Sequence, residues 1–387
     1  MKTIKAAVIG TGFIGPAHIE ALRRIGGVEV IAVTSGKDIG AQAVAARFSI
    51  PKVYDTWEEI INDKEVEVIH NCTPNHLHFE INKAAILSGK HIISEKPLTI
   101  TSKESAELVK LAKEKGVVNA INFNYRFYPL IQHAKAMIEK NDVGTIFMVH
   151  GSYLQDWLLY NTDYNWRLES GLSGSSRAIA DIGSHWCDLL QFLTGQKIKR
   201  VFANLIVVHK KRKKPKTKVQ TFKGKEEAAG DAGYEEINID TEDAGSVLVQ
   251  FEGGIQGVFT VSQVSAGRKN CFTFEIDGSK KALSWNQEEP NQLWVGHREK
   301  GNEVIIKDPS LIYEEARKYA HYPGGHPEGY PDGPKNLFIN VYDFIRTGKD
   351  PQKDKTDFPT FEDGDWENRI VEAILESNES QKWVDVK

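Results

Sequence analysis

The chain has 387 residues, with 49 Lys and Arg against 53 Asp and Glu, and the resulting net charge of -4 supplies no global field to attract nucleic acid. That length exceeds one ordinary core, so two domains are expected. No apolar run reaches the roughly 18 residues of a membrane helix, no signal-peptide pattern opens the chain, and Cys72, Cys187 and Cys271 lack C-x-x-C spacing. A small-molecule partner in a reducing cytoplasm is therefore expected, with no disulfide frame, no metal, no nucleic acid and no membrane.

Ala6 to Ile9 reads as a buried strand, and Gly10, Gly12 and Gly15 then turn it into a helix from Pro16 to Ile25. In G-x-G-x-x-G the first glycine allows a tight turn, the second lets the backbone approach a pyrophosphate, and the third lets helix pack on strand. Free N–H groups at that helix start favour an anion. The second strand, Val28 to Val33, ends in Thr34, Ser35, Gly36 and Lys37, with Asp38 late. An acidic residue at this turn selects NAD over NADP. Its absence leaves Ser35 and Lys37 to accept a 2′-phosphate or to form an ordinary polar turn, so NAD and NADP both stay open.

A helix over Gly40 to Phe48 follows, then a capping box on Thr56 and Glu59. The strand Val66 to Asn71 leads into Cys72, Thr73, Pro74, Asn75, His76, Leu77 and His78, which either face the ligand beyond the strand end or simply start a helix. Gly89 stops that helix, and His91 to Ser94 delivers Glu95, Lys96 and Pro97 to the same edge. A second capping box on Thr101 and Glu104, a stop at Gly116 and a strand from Val117 to Phe123 close the first domain. Alternating strands and helices read as an α/β, doubly wound parallel sheet over residues 1–122.

From residue 123 to 387 strand-like runs dominate: Ile146 to Tyr153, Val201 to Val208, Gly245 to Phe251, Ile255 to Ser262, Cys271 to Asp277 and Lys281 to Trp285. They predict an α+β domain with a large, mainly antiparallel open sheet, one face covered by helices over Arg177 to Thr194, Leu337 to Arg346 and Trp366 to Asn378. The basic run His209 to Lys218 lacks interleaved aromatics and is expected to be a solvated loop between strands. Tyr322 to Pro334, rich in proline and glycine, predicts a loop of fixed path. Its His326, Glu328 and Tyr330 make it a candidate wall of a binding site, with a rigid surface loop or a subunit contact as the other reading.

If Ala180 to Asp188 is helical, Asp181 and His185 share a face. Alcohol oxidation needs a base while hydride leaves carbon, and histidine titrates in the useful range. From spacing alone a lone histidine on a helix is more often structural. Lys96, at a strand end beside a proline, could polarise the oxygen.

Taken in order, Gly10-x-Gly12-x-x-Gly15, Thr73-Pro74-Asn75 with His76 and His78, Glu95-Lys96-Pro97, and Asp181-x-Gly183-x-His185 resemble the glucose-fructose oxidoreductase, inositol dehydrogenase and MocA family. That resemblance implies Lys96, Asp181 and His185 as catalytic groups, a cis Lys96–Pro97 bond, and an NAD(P)-dependent dehydrogenase acting on a ring hydroxyl of a sugar, anhydrosugar or cyclitol. Cofactor contacts are implied at Gly10, Gly12, Phe13, Ile14, Gly15, Ser35, Lys37, Thr73, Pro74, Asn75, His78, Glu95 and Lys96. Tyr153-Leu154-Gln155-Asp156-Trp157, Asn165-Trp166-Arg167, Gly183-Ser184-His185-Trp186 and Gly325-His326-Pro327-Glu328-Gly329-Tyr330 resemble the branch that acts on pyranosides and anhydrosugars such as levoglucosan. They imply substrate contacts at Tyr125, Arg126, Asp156, Trp157, Arg167, His185 and His326, with Trp157, Trp166 and Trp186 suited to stacking on a sugar. A homodimer or homotetramer through the C-terminal sheet is also implied. The alternatives are an NAD-dependent glycosidase, whose relatives tend to lack the lysine, and a non-catalytic NAD(P)-binding regulator, which would need none of the three groups.

Overall fold

Near-continuous apolar runs make buried parallel strands, and five of the first six form where such runs occur. A computed structural model describes residues 3–36, 40–216 and 233–387. Its first part alternates β1 (Ile4–Ile9), α1 (Ile14–Ile25), β2 (Val28–Thr34), α2 (Gly40–Arg47), β3 (Lys52–Val53), α3 (Trp57–Asn62), β4 (Val68–Asn71), α4 (His78–Leu87), β5 (His91–Ser94), α5 (Ser102–Lys115) and β6 (Asn119–Ile121). The strands form a six-stranded sheet in the order β3-β2-β1-β4-β5-β6, with every pair parallel. Strand order reverses between β1 and β4, and a crevice opens beyond the carboxyl ends there. The Thr56 and Glu59 capping box forms as expected; at α5 the Thr101 side chain accepts from the Glu104 N–H.

The second part contains α6 (Pro129–Glu139), β7 (Ile146–Leu154), α7 (Ser170–Ser173), α8 (Ser184–Thr194), β8 (Ile198–Ile206), β9 (Lys211–Pro215), β10 (Tyr234–Asn238), β11 (Ala244–Phe251), β12 (Gln256–Ser262), β13 (Cys271–Gly278), β14 (Ala282–Asn286), β15 (Gln292–Gly296), β16 (Glu303–Ile306), α9 (Glu314–Arg317), α10 (Asp332–Arg346), α11 (Phe361–Ser380) and β17 (Val384–Asp385). Nine strands make one sheet, β16-β15-β14-β13-β7-β12-β11-β8-β17, antiparallel except at β7 and β12. Along β11 the side chains alternate: Val247, Val249 and Phe251 face a core shared with Leu130, Trp186, Leu190, Ile370 and Ile374 from α6, α8 and α11. Leu248 points the other way and is exposed.

Three local expectations change. The basic run is not simply a solvated loop: Lys211–Pro215 pairs with Tyr234–Asn238, and Arg212 is buried against Asp243 and the carbonyls of Leu158 and Tyr160. Helix α10 begins at Asp332, inside the segment expected to stay a loop, because a proline in the first helical turn needs no N–H partner. The same helix, expected to cover the C-terminal sheet, instead returns to the first domain, where Leu337, Phe338, Val341 and Tyr342 bury against Ile19 and Leu22 of α1.

Candidate active site

Three strand-to-helix turns meet at the crevice. Gly10 sits at φ 98°, and a Cβ there would lie 2.4 Å from the Cys72 carbonyl oxygen. A Cβ on Gly15 would lie 2.1 Å from the Gly10 carbonyl oxygen, so both positions require glycine. A Cβ on Gly12 would meet nothing within 4 Å. The middle glycine therefore borders open space beside a helix that no side chain caps, and uncapped N–H groups there suit the pyrophosphate of a dinucleotide. By shape and donor set, these residues fit such a group.

Beside this loop lies a cavity of about 350 Å³. Of the residues expected to bind the cofactor, Phe13, Ile14, Thr73, Asn75, Glu95 and Lys96 line it. Pro74 instead caps the short 3-10 turn Asn75–Leu77, so the Thr-Pro-Asn stretch both starts a helix and borders the site. His78 is fully buried and bridges the carbonyls of Pro97, at 2.7 Å, and Thr73, at 2.9 Å, which makes it a strut beneath both turns. Ser35 ends beyond β2 in a half-buried turn, and Lys37 lies outside the described residues. The Lys96–Pro97 bond is cis.

Asp181, Ile182 and His185 form the facing wall, on a π-helical turn, Ile179–Gly183, that runs directly into α8. Such turns recur at functional sites. Lys96 Nζ donates to Asp181 Oδ1 at 2.8 Å, and Arg167 Nε lies 3.3 Å from the same oxygen. Burial alone would raise the Asp181 pKa, but the charges of Lys96 and Arg167 overturn this and hold the carboxyl well below its ordinary value. Burial, with the Lys96 charge, pushes the His185 imidazole down to about 3. Among the described residues its Nδ1 has no hydrogen-bond partner. At neutral pH the site thus presents an ionised carboxylate and a neutral imidazole beside the Lys96 side chain.

Glu95 is the second ionised carboxylate. Burial disfavours its charge, yet the hydrogen bond and charge of His18, the Lys96 charge and a bond from Asn122 bring it down to about 2. His18 Nε2 lies 2.9 Å from Glu95 Oε1, while its Nδ1 meets His70, which reaches Tyr342. Tyr125 and Tyr153 share a hydrogen bond of 2.7 Å, and Asn270 binds both. Burial raises Tyr125 to about 12, so it enters the cavity as a neutral phenol.

The substrate set divides. Tyr125, Arg167 and His185 line the cavity. Arg126, one residue from Tyr125, points into a separate groove and pairs with Asp188 and Asp363, its guanidinium over the Phe192 ring. Asp156 is engaged by Lys269 Nζ at 2.7 Å, and Trp157 donates to Gln155, so both stand behind the wall. His326 is exposed and does not line the cavity; Tyr330 is the residue of that loop that does. Trp186 is fully buried and stacked on Phe259, which rules out a sugar-facing role in this chain. Trp166 holds the Arg167 guanidinium, 4.5 Å from its ring.

Sequence reasoning missed Asn122, Asn124, Lys269 and Asn270, which also line the cavity. The first two lie just past the carboxyl end of β6, and the strand-end rule applied to Lys96 would have found them. Lys269 and Asn270 precede β13 in a loop that carries no local signal.

Residues 4–123 match the model of an oxidoreductase family with an NAD-binding Rossmann fold, and residues 131–284 match the GFO/IDH/MocA C-terminal domain. The levoglucosan dehydrogenase of Pseudarthrobacter phenanthrenivorans is 30% identical over 403 residues, which cover 100% of this chain and 99% of that protein. A solved levoglucosan dehydrogenase in complex with NADH and L-sorbose superposes with a TM-score of 0.88 at 28% identity, over 100% of both chains. The oxidoreductase domain protein from Kribbella flavida gives 0.88 at 29%, again over 100% of both. With both domains matched and the glycine loop, the lysine and the Asp–His turn gathered at one cavity, the chain belongs to the GFO/IDH/MocA family of NAD-binding oxidoreductases.

Proposed function

We propose that the chain is a dehydrogenase transferring hydride between a ring hydroxyl of a sugar, anhydrosugar or cyclitol and NAD or NADP. The observation that carries this reading is the convergence of Lys96, Asp181 and His185 on the wall facing the glycine loop. The nicotinamide supplies the hydride acceptor when bound. His185, held neutral, takes the hydroxyl proton. Lys96 stabilises the developing alkoxide, and Asp181 holds Lys96 in place. Phenol, amide and guanidinium groups from Tyr125, Asn270 and Arg167 suit several hydroxyls better than an apolar substrate.

The levoglucosan dehydrogenases support the anhydrosugar end of this range. Absorbance of the reduced cofactor, followed across levoglucosan, hexoses and inositols with each dinucleotide, tests the reading. Reduction with none of them would remove it.

The same proposal includes a homo-oligomer, dimer or tetramer, formed through the nine-stranded sheet. Exposed Met148, Ile206, Leu248, Val304 and Ile306 lie on its strands, an apolar surface of the kind a partner covers. Sedimentation should give a multiple of 43.4 kDa. A cytoplasmic setting fits three free, buried cysteines, and no helix among the described residues is long and apolar enough to cross a membrane.

A further inference from the structure

Asp181 is held from two directions, and one of them lies outside the cavity. Lys96 and Arg167 engage its Oδ1. Its Oδ2 accepts from Gln263 Nε2 at 2.9 Å. Gln263 follows β12 directly and is fully buried, behind the cavity wall. The other end of its amide, Oε1, accepts from Arg177 Nη1 at 3.0 Å. A guanidinium offers only donors, so Arg177 dictates the amide's polarity: oxygen toward itself, NH2 toward Asp181.

Arg177 has no freedom to turn. Its Nη2 donates to Asp243 Oδ1 at 2.5 Å and its Nε to Thr241 Oγ1 at 3.2 Å, and both charged side chains are inaccessible to solvent. Its main-chain N–H donates to Glu242 Oε1 at 2.9 Å, and the same oxygen accepts from the Ile179 N–H at 2.8 Å. Glu242 thereby fixes the start of the π-helical turn that bears Asp181. Every member of this chain, from Glu242 through Arg177 to Gln263, is satisfied and buried.

We propose that Gln263 is a positioning residue that locks the Asp181 carboxylate in one rotamer as a pure acceptor, with its own polarity set by Arg177. The inference rests on Asp181 belonging to the catalytic set. Groups facing Asp181 from the surrounding elements are Lys96, Arg167 and His185, with the Tyr125 and Tyr153 phenols within its field. Among them Gln263 adds a donor without adding charge. Oδ2 is satisfied by a neutral amide, which leaves Oδ1 to the two cations.

Two variants separate positioning from general support. Gln263→Leu keeps the volume and removes the donor; kcat should fall about 10- to 100-fold, the factor for one hydrogen bond to a charged group, with sugar KM and NADH affinity within about 3-fold. Gln263→Glu places a second carboxylate against Oδ2; the Asp181 charge raises the pKa of that Glu, and the Arg177 guanidinium at its other oxygen limits the rise. While protonated, Glu at 263 donates to Asp181 as the amide did, so kcat should approach the native value at acid pH and fall as pH rises through that pKa. The native enzyme should lack this limb.

Each pH profile is internal to one folded protein, and NADH fluorescence reports folding at every pH, so a poorly folding Gln263→Leu leaves the test intact. Native kcat and a native pH profile in Gln263→Glu, beside an inactive Asp181→Asn, would overturn the positioning role alone. An active Asp181→Asn would instead overturn the catalytic reading on which it rests.

Discussion

Lys96 binds one residue twice: its Nζ donates to Asp181 Oδ1 at 2.8 Å and to the Asp181 main-chain carbonyl at 2.7 Å. The ammonium is thus tied to the backbone as well as to the side chain of the helical turn, so its position does not depend on one rotamer. Lys96→Ala should lose at least ~100-fold in turnover, the scale of a positioned proton-transfer group, while binding NADH within a few-fold, because Arg167 and Gln263 still hold Asp181. Single-turnover kinetics and NADH fluorescence check this. Near-native turnover would dismiss Lys96 from the chemistry.

A second expectation concerns His185, whose pKa is pushed down to about 3 by burial and by the Lys96 charge. With a depressed value the imidazole stays neutral, and able to accept a proton, until pH falls through about 3. The profile of kcat/KM should therefore show no acid limb from His185 between pH 5 and 8. Lys96→Met removes one of the two causes and should move the imidazole pKa upward, toward the ordinary value near 6.5. Ring resonances of labelled histidine report both; a native titration near 6.5 would refute the assignment.

Much of this arrangement is legible in the chain, and the parts that are not share a cause. The parallel strands announce themselves because burial on both faces leaves apolar runs, punctuated by Gly10, Gly89 and Gly116. Lys96 lies at a strand end and Asp181 and His185 four apart, so local spacing places them. The resemblance implies both Tyr125 and Arg126 as substrate contacts, yet only Tyr125 faces the cavity. On a 3-10 turn adjacent residues diverge, and Arg126 is claimed by Asp188 and Asp363, 62 and 237 residues away. Arg212 is similar: a charge run reads as solvated until Asp243, 31 residues on, appears beside it. No local pattern records a partner at that distance.

The buried pair of His18 and Glu95 gives a stability prediction with a definite sign. The folded Glu95 pKa, about 2, lies below its ordinary value of 4.5, so its contribution is complete above about 4.5 and is lost as pH falls toward 2. His18→Phe removes the donor and leaves a buried carboxylate short of compensation, which should cost about 3 to 5 kcal/mol at pH 7. Burial would then raise the Glu95 pKa above the unfolded value, so the variant regains stability as Glu95 protonates. The difference from the native protein should shrink between pH 7 and pH 4.5 in urea denaturation. An equal gap at both pH values would contradict the pairing.

Cofactor choice turns on the segment after β2. Thr34, Ser35 and Gly36 place no carboxylate where the adenosine ribose is expected, and Lys37 is the next residue. NADP should therefore be usable, and Lys37→Asp should shift the ratio of kcat/KM toward NAD by repelling the 2′-phosphate and offering the ribose an acceptor. Rejection of NADP by several orders of magnitude in the native enzyme would show that this turn discriminates by other means.

The loop before α10 supplies the sharpest contrast between neighbours in sequence. Tyr330 lines the cavity, and burial, with the Glu95 charge, raises its pKa well above the ordinary value, so it stands there as a neutral phenol. His326, four residues earlier, is exposed, its Nδ1 only 3.3 Å from the Gly324 carbonyl oxygen of its own turn. What anchors the loop is buried Glu328, which pairs with Lys307 and accepts from the His321 N–H. Tyr330→Phe should raise the sugar KM about 5- to 100-fold if its hydroxyl meets the substrate, the range for one or two kcal/mol of hydrogen bonding. His326→Ala should leave both KM and kcat within about 2-fold, since a surface substitution away from the site costs little. The reverse pattern, a silent Tyr330→Phe and an impaired His326→Ala, would mean that the histidine reaches a sugar from a neighbouring subunit, and a mixed-subunit complementation assay would then locate it.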